Sequence, residues 1–196
     1  MHRSTRYAVI LALLPLAACA GSERAVTPPA PVVPQPPPLS AADQSFIQTA
    51  SIGGMAEVQL GQLALQKTHS AGVRHFATQM VQDYTANNQQ LAQLAKQKGV
   101  TPPSALDDAH QQEMTKLQGE TGKQFNHDYI AGQVTGHQAM LDTFQSEVQN
   151  GQDADLKNFA QQTIPVIQSH LTMAQGLQSG HVHHGAHHHA TQPGTM

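Results

Sequence analysis

The sequence predicts an all-α fold: an antiparallel four-helix bundle with one extra short helix, a disordered N-terminal stalk and a disordered C-terminal tail. Three observations predict it. Between Ser40 and Gln178 the apolar residues recur at steps of three and four, the period of a helix that buries one face. The same stretch shows no alternating apolar and polar run and no Asn-Gly hairpin signal between strand-like runs. Gln and Ala, both good helix formers, fill a composition with 12% charged residues, 4% aromatic residues and no Trp.

Each element has its own signals. Ser40, with Asp43 three residues on, caps a helix over about Ala42–Thr68. Its stripe is Ile47, Ala50, Gly54, Val58, Gly61 and Leu65. Gly53, Gly54 and Gly61 predict close helix approach, since each otherwise costs about 1 kcal/mol of helix propensity. A second helix, about Ala71–Lys98, carries Val73, Phe76, Ala77, Met80, Tyr84, Leu91, Leu94 and Ala95. Gly99 and Pro102-Pro103 end it. A short helix follows at about Ser104–Gln118, with Leu106, His110, Met114 and Leu117 on one face.

Thr121 is positioned to cap the next long helix, about Gly122–Gln149, whose stripe is Ile130, Val134, His137, Leu141, Phe144 and Val148. Asp153 caps the last, about Ala154–Leu177, with Leu156, Ala160, Ile164, Ile167, Leu171 and Ala174. Pro165 lies inside that helix, removes the bond to the Gln161 carbonyl and predicts a kink. Four amphipathic helices joined mostly by short loops fit an up-down-up-down bundle over residues 40–178. The segment 104–121 leaves the direction of the third long helix open.

The ends read as an address and appendages. Arg3 and Arg6 precede a short apolar core ending at Ala18, too short to span a bilayer and shaped like a secretory signal over residues 1–18. Leu16-Ala17-Ala18-Cys19 resembles a bacterial lipobox, which predicts lipidation of Cys19 and a membrane anchor. Ala20 after the Cys resembles the outer-membrane sorting pattern of Gram-negative lipoproteins. The expected location is therefore the Gram-negative cell envelope, on the outer membrane and facing the periplasm. Residues 19–39 follow as the lipidated Cys and a linker holding seven of the chain's 12 prolines, a composition that favours an extended polyproline spacer. Residues 179–196 form a tail with His181, His183, His184, His187, His188 and His189 among the chain's 13 His. Such a cluster binds Ni²⁺, Cu²⁺ or Zn²⁺ when its imidazoles are neutral; a purification tag and a merely soluble tail are the alternatives.

Composition excludes several classes. Lys+Arg is 10 against Asp+Glu 13, the opposite of a nucleic-acid binder. The single Cys leaves no internal disulfide and no Cys-based zinc site. Ferritin-type di-iron chemistry needs Glu-x-x-His pairs on two helices. Glu57, Glu113, Glu120 and Glu147 are followed three residues on by Leu60, Lys116, Lys123 and Asn150, so no such pair exists. No nucleophile elbow, phosphate loop or His-Glu-x-x-His motif is present.

Helical geometry points to one polar layer. Glu57, Tyr84, His137 and His170 each lie near the middle of a long helix, on or beside its apolar stripe, and Asp83 borders the second stripe. Two readings of the layer stand. Glu57, His137 and His170, with Asp83 and Tyr84 beside them, hold a transition metal such as Zn, Fe or Cu; or the five side chains bond one another and fix helix register.

The segment Phe46–Leu177 is similar to a family of bacterial envelope proteins classed as domain of unknown function 4142. The resemblance rests on Gly54-Met-Ala-Glu-Val-Gln-Leu-Gly-Gln-Leu-Ala64 and Val73-Arg-His-Phe-Ala-Thr-Gln-Met-Val-Gln-Asp83. It continues through Phe125-Asn-His-Asp-Tyr-Ile130, Gly136-His137 and Ile164-Pro-Val-Ile-Gln-Ser-His-Leu171. It implies a ferritin-like helical bundle and an exported location, and no established reaction. Members usually carry Asp-His where this chain has Asp83-Tyr84, which removes one imidazole from the layer. Three roles follow as expectations: an anchored bundle whose tail binds or buffers transition metal, a periplasmic metal enzyme using the core Glu/His site, or an envelope protein that only packs against partners.

Overall fold

A computed structural model describes residues 38–180 of the chain. The signal segment, Cys19, nearly all of the Pro-rich linker and the six tail His lie outside the described residues. The helices are α1 (Ala41–Lys67), α2 (Ala71–Gln97), α3 (Asp108–Gly119), α4 (Gly122–Asn150) and α5 (Ala154–Gln178). There is no strand among the described residues, and no described helix is long and apolar enough to cross a membrane.

The caps explain where the helices start. The Ser40 hydroxyl accepts the Asp43 N–H at 3.2 Å while the Asp43 carboxylate accepts the Ser40 N–H at 3.0 Å, a reciprocal capping box. Ser70 and Asp153 cap α2 and α5 through the N–H groups of Val73 and Leu156. Two local expectations differ. α3 begins at Asp108 rather than near Ser104, because Asp107 supplies the cap by accepting the His110 N–H at 3.0 Å. Thr121 makes no side-chain cap; α4 instead starts on Gly122, whose φ of 61° suits a residue without Cβ. α5 runs unbroken through Pro165, whose side chain lies on the exposed face.

Contacts at the helix ends set the topology. Lys67 at the end of α1 donates to the carbonyls of Gln118 (2.5 Å) and Glu120 (2.7 Å), and Thr68 bonds Asn126 at 2.7 Å. The C-terminal end of α1 therefore meets the N-terminal end of α4. At the opposite end Asp43 accepts the N–H groups of Gln152 and Asp153, and Lys98 after α2 pairs with Asp153 and Asp155 at 2.8 and 2.6 Å. The long helices thus run up, down, down, up. This corrects the up-down-up-down order. Residues 98–121, including α3, carry the chain back along the bundle before α4 begins. All spatial neighbours remain antiparallel, with α1 against α2 and α4, and α5 against α4 and α2. One long crossover of this kind is the ferritin-like arrangement.

Two aromatic clusters fill the ends of the core. Phe46, Phe144 and Phe159 meet with ring centroids 5.0–6.2 Å apart, and Phe76, Tyr129 and Phe125 form the second group. Gly61 shows why α1 carries glycine. A Cβ there would lie 2.9 Å from Val81 Cγ2 and 3.1 Å from the Ala77 backbone oxygen of α2. Gly61→Ala gains helix propensity but overpacks this contact, so we expect a net loss of about 1–2 kcal/mol in urea unfolding. A variant more stable than the parent would show that α1 and α2 have slack there.

Candidate functional site

Between the aromatic clusters the four long helices bring the predicted polar residues together. Glu57 of α1 is 5% exposed, Tyr84 of α2 3%, His137 of α4 0% and His170 of α5 2%. The two imidazole rings pack edge to face at 5.5 Å, with the Tyr84 ring 5.8 Å from His137 and 5.6 Å from His170.

The bonds assign the protons. His137 Nδ1 lies 2.9 Å from the Gln133 carbonyl, which only accepts, so Nδ1–H donates there. Nε2 is then the acceptor for the Tyr84 hydroxyl at 3.2 Å. His170 donates through Nε2 to Asp83 Oδ2 at 2.8 Å, leaving its buried Nδ1 without a partner. Asp83 is the one member near the surface. It lines a groove of about 320 Å³ between α2 and α5, together with His170, Tyr84, Asn87 and Val166. Glu57 Oε1 stands 3.7 Å from His137 Nδ1, too far for a hydrogen bond.

Burial makes most of the layer uncharged. It pushes the Glu57 carboxyl up to about 8; the Gln133 side chain and the His110 imidazole oppose the shift and the Glu113 carboxylate adds to it. Burial lowers His137 to about 4 against the pull of the Gln133 carbonyl. His170 is lowered by burial and by His137, with Asp83 opposing. Burial, then the carboxylates of Glu57 and Asp83, hold the Tyr84 hydroxyl well above its ordinary value. At neutral pH the interior therefore holds a protonated Glu57, two neutral imidazoles and a neutral phenol.

Most nitrogens of the predicted layer are committed to protein partners. Among the described residues no three His, Cys, Asp or Glu side chains are placed to hold a metal ion. Three of the four imidazole nitrogens have protein partners, and His170 Nδ1 has none. His137 uses one on a carbonyl and the other on Tyr84, and His170 gives one to Asp83. Tyr84 and His137 tie α2 to α4 and Asp83 and His170 tie α2 to α5, with Glu57 beside His137 but not bonded to it.

The structure adds members that the sequence reading passed over. Gln133 is 1% exposed and Tyr129 1%. Both sit on the α4 face one and two turns before His137, where period-3.6 counting would have found them. Glu113 of α3 reaches Gly132, and Gly136 abuts Glu57: a Cβ at Gly136 would lie 3.6 Å from Glu57 Oε1. Nothing in a linear stripe signals that α3 delivers a carboxylate to this level.

The profile of the Domain of unknown function (DUF4142) family matches residues 28–177. The chain belongs to this family. No curated protein matches it. Among solved structures, a DUF305 fragment from Deinococcus radiodurans superposes with a TM-score of 0.66 at 14% identity, over 74% of this chain and 99% of the other. CopM in its Cu(I)-bound form gives a TM-score of 0.60 at 16% identity, over 70% and 96%. A conserved hypothetical protein from Mycobacterium tuberculosis gives 0.55 at 13%, over 70% and 91%. At these identities the likeness is one of fold. This DUF4142 chain has the helical bundle of those proteins, and its layer is built from its own residues.

Proposed function

We propose that this DUF4142 protein is a lipid-anchored envelope module that binds transition metal through its His-rich tail. Cys19 carries the lipid, the Pro-rich segment holds the bundle off the outer membrane on its periplasmic side, and His181, His183, His184, His187, His188 and His189 supply the ligands. The observation that carries the reading is a contrast in donors. His137 uses both ring nitrogens and His170 one of its two on protein partners, whereas the tail concentrates six imidazoles in nine residues, a density suited to Ni²⁺, Cu²⁺ or Zn²⁺. That a protein of the same fold, CopM, holds Cu(I) supports a place for this architecture in metal handling. The engagement of both His137 nitrogens weighs against the alternative of a core metal enzyme built on Glu57, His137 and His170.

The test is metal content and a binding isotherm on the full chain, purified without an affinity tag, beside a variant with the six tail His changed to Ala. The expected result is binding of Cu²⁺ or Ni²⁺ by the parent and at least a tenfold loss in the variant. Equal binding by both would overturn the tail reading. Cys19→Ser tests the anchor separately, by moving the protein from the membrane fraction to the soluble one.

A further inference from the structure

The first turn of α1 meets the turn between α4 and α5 through two carboxyl groups. Asp43 is 1% exposed and Glu147 2%. Asp43 Oδ1 accepts the N–H groups of Gln152 and Asp153, and its Oδ2 accepts the N–H and the hydroxyl of Ser40. Glu147, in the last turn of α4, closes on the residue before them: a Cβ at Gly151 would overlap Glu147 Oε1. Between them the two side chains grip Gly151, Gln152 and Asp153.

Glu147 has no donor of its own. Both of its oxygens are buried without a hydrogen-bond partner, and the Asp43 carboxylate beside it only accepts. Two carboxyl groups share such a place when one of them keeps its proton. The cations at this end leave that need unmet. Lys98 is paired with Asp153 and Asp155 at 2.8 and 2.6 Å, and Lys157 of α5 opposes the upward shift of Glu147 without overcoming it. A groove of about 360 Å³ runs alongside between α1 and α4. Ser45, Thr49, Asp142, Ser146 and Glu147 itself line it, so Glu147 stands between the buried Asp43 and water.

We propose that Glu147 is a proton-operated latch on the start of α1. Protonated, it donates to Asp43 and holds the first turn of α1 on the α4–α5 turn. Ionised, it turns out into the α1–α4 groove, toward the hydroxyls of Ser45 and Thr49, and the two segments part. Burial, then the neighbouring Asp43 carboxylate and the charge of Asp153, put Glu147 at about 7, whereas Asp43 is held at about 2 and stays ionised throughout. The latch is therefore tight in mild acid and loose above neutrality. In the open state Glu147 is solvated and returns to its ordinary value of 4.5. Opening then becomes about tenfold easier per pH unit from there up to the folded value.

Hydrogen exchange of the full chain, followed by NMR from about pH 5.5 to 7.5, tests the proposal on the Gln152 and Asp153 amides. Relative to the rates of an unstructured peptide, their protection is expected to fall at least tenfold across that range. Glu147→Gln keeps the size and donates to Asp43 at every pH. In this variant the fall is expected to vanish, while the Met80 and His137 amides, inside α2 and α4, behave as in the parent. No fall in the parent, a fall of the same size in the variant, or a loss at Met80 and His137 as large as that at Gln152 and Asp153 would each overturn it. So would a Glu147 Cδ resonance that titrates at the ordinary value of 4.5 in the folded parent.

Discussion

Glu57→Gln raises the stability of the bundle by about 3–5 kcal/mol at pH 9 in chelated buffer, and changes it little at pH 4. Burial holds the Glu57 carboxyl at about 8 against an ordinary value of 4.5. The unfolded chain therefore releases this proton first. Between those two pH values the native state binds more protons, so stability falls as pH rises, and the loss is complete once pH passes the folded value. His137 runs the other way. Lowered from 6.5 to about 4, it makes stability rise with pH over that interval. The two slopes oppose each other between about pH 4.5 and 6.5, and Glu57 acts alone above. Gln keeps the size and the acceptor and cannot ionise, so the alkaline decline should flatten in this variant alone. Thermal melts of parent and variant from pH 4 to 9 check it. Parallel curves across that range would mean that Glu57 is charged in the folded protein.

The same residue shows what the sequence could and could not disclose. A carboxylate beside an apolar stripe, near the middle of its helix, was readable by counting turns, as were Tyr84, His137 and His170. Mid-helix positions share a level whichever way a helix points, which is why the layer was legible while the direction of α4 was not. That direction depends on Lys67, Thr68 and Lys98 finding partners far along the chain. None of these pairings has a local period. Which imidazole nitrogens are free was hidden for a related reason. Residue types and heights were readable, but hydrogen-bond direction decides whether an imidazole lone pair is available: His137 donates from Nδ1 to the Gln133 carbonyl and accepts the Tyr84 hydroxyl at Nε2, while His170 Nδ1 keeps its lone pair. Glu113 was invisible because α3 is not part of the four-helix repeat and its register on α4 follows from where the crossover lands.

Asp43 illustrates the same limit at the bundle's end, and it carries the second large effect. Asp43→Ala is expected to cost about 3–5 kcal/mol, the range for removing one partner from a buried charged network. From sequence Asp43 is half of a local capping box. In the fold it is 1% exposed and also accepts the N–H groups of Gln152 at 2.9 Å and Asp153 at 3.1 Å. One carboxylate therefore begins α1 and fastens it to the turn between α4 and α5. Burial alone would raise its pKa, but the bonds from Ser40, Asp153 and Gln152, with the Glu147 carboxyl beside it, outweigh it and hold the group at about 2. Glu147 complements it. Burial, then the neighbouring Asp43 carboxylate and the charge of Asp153, raise it to about 7, with Lys157 opposing. Below that pH it carries the proton that lets two buried carboxyls lie together. For Asp43 the depressed value means that its contribution is present above about pH 4 and lost as pH falls through about 2, roughly 2 kcal/mol over that interval. The gap between parent and Asp43→Ala should accordingly be widest near neutrality and narrow by that amount at pH 2. A constant gap would assign the loss to the neutral cap alone. A gap below about 1 kcal/mol at pH 7 would mean that the turn between α4 and α5 holds its place without α1.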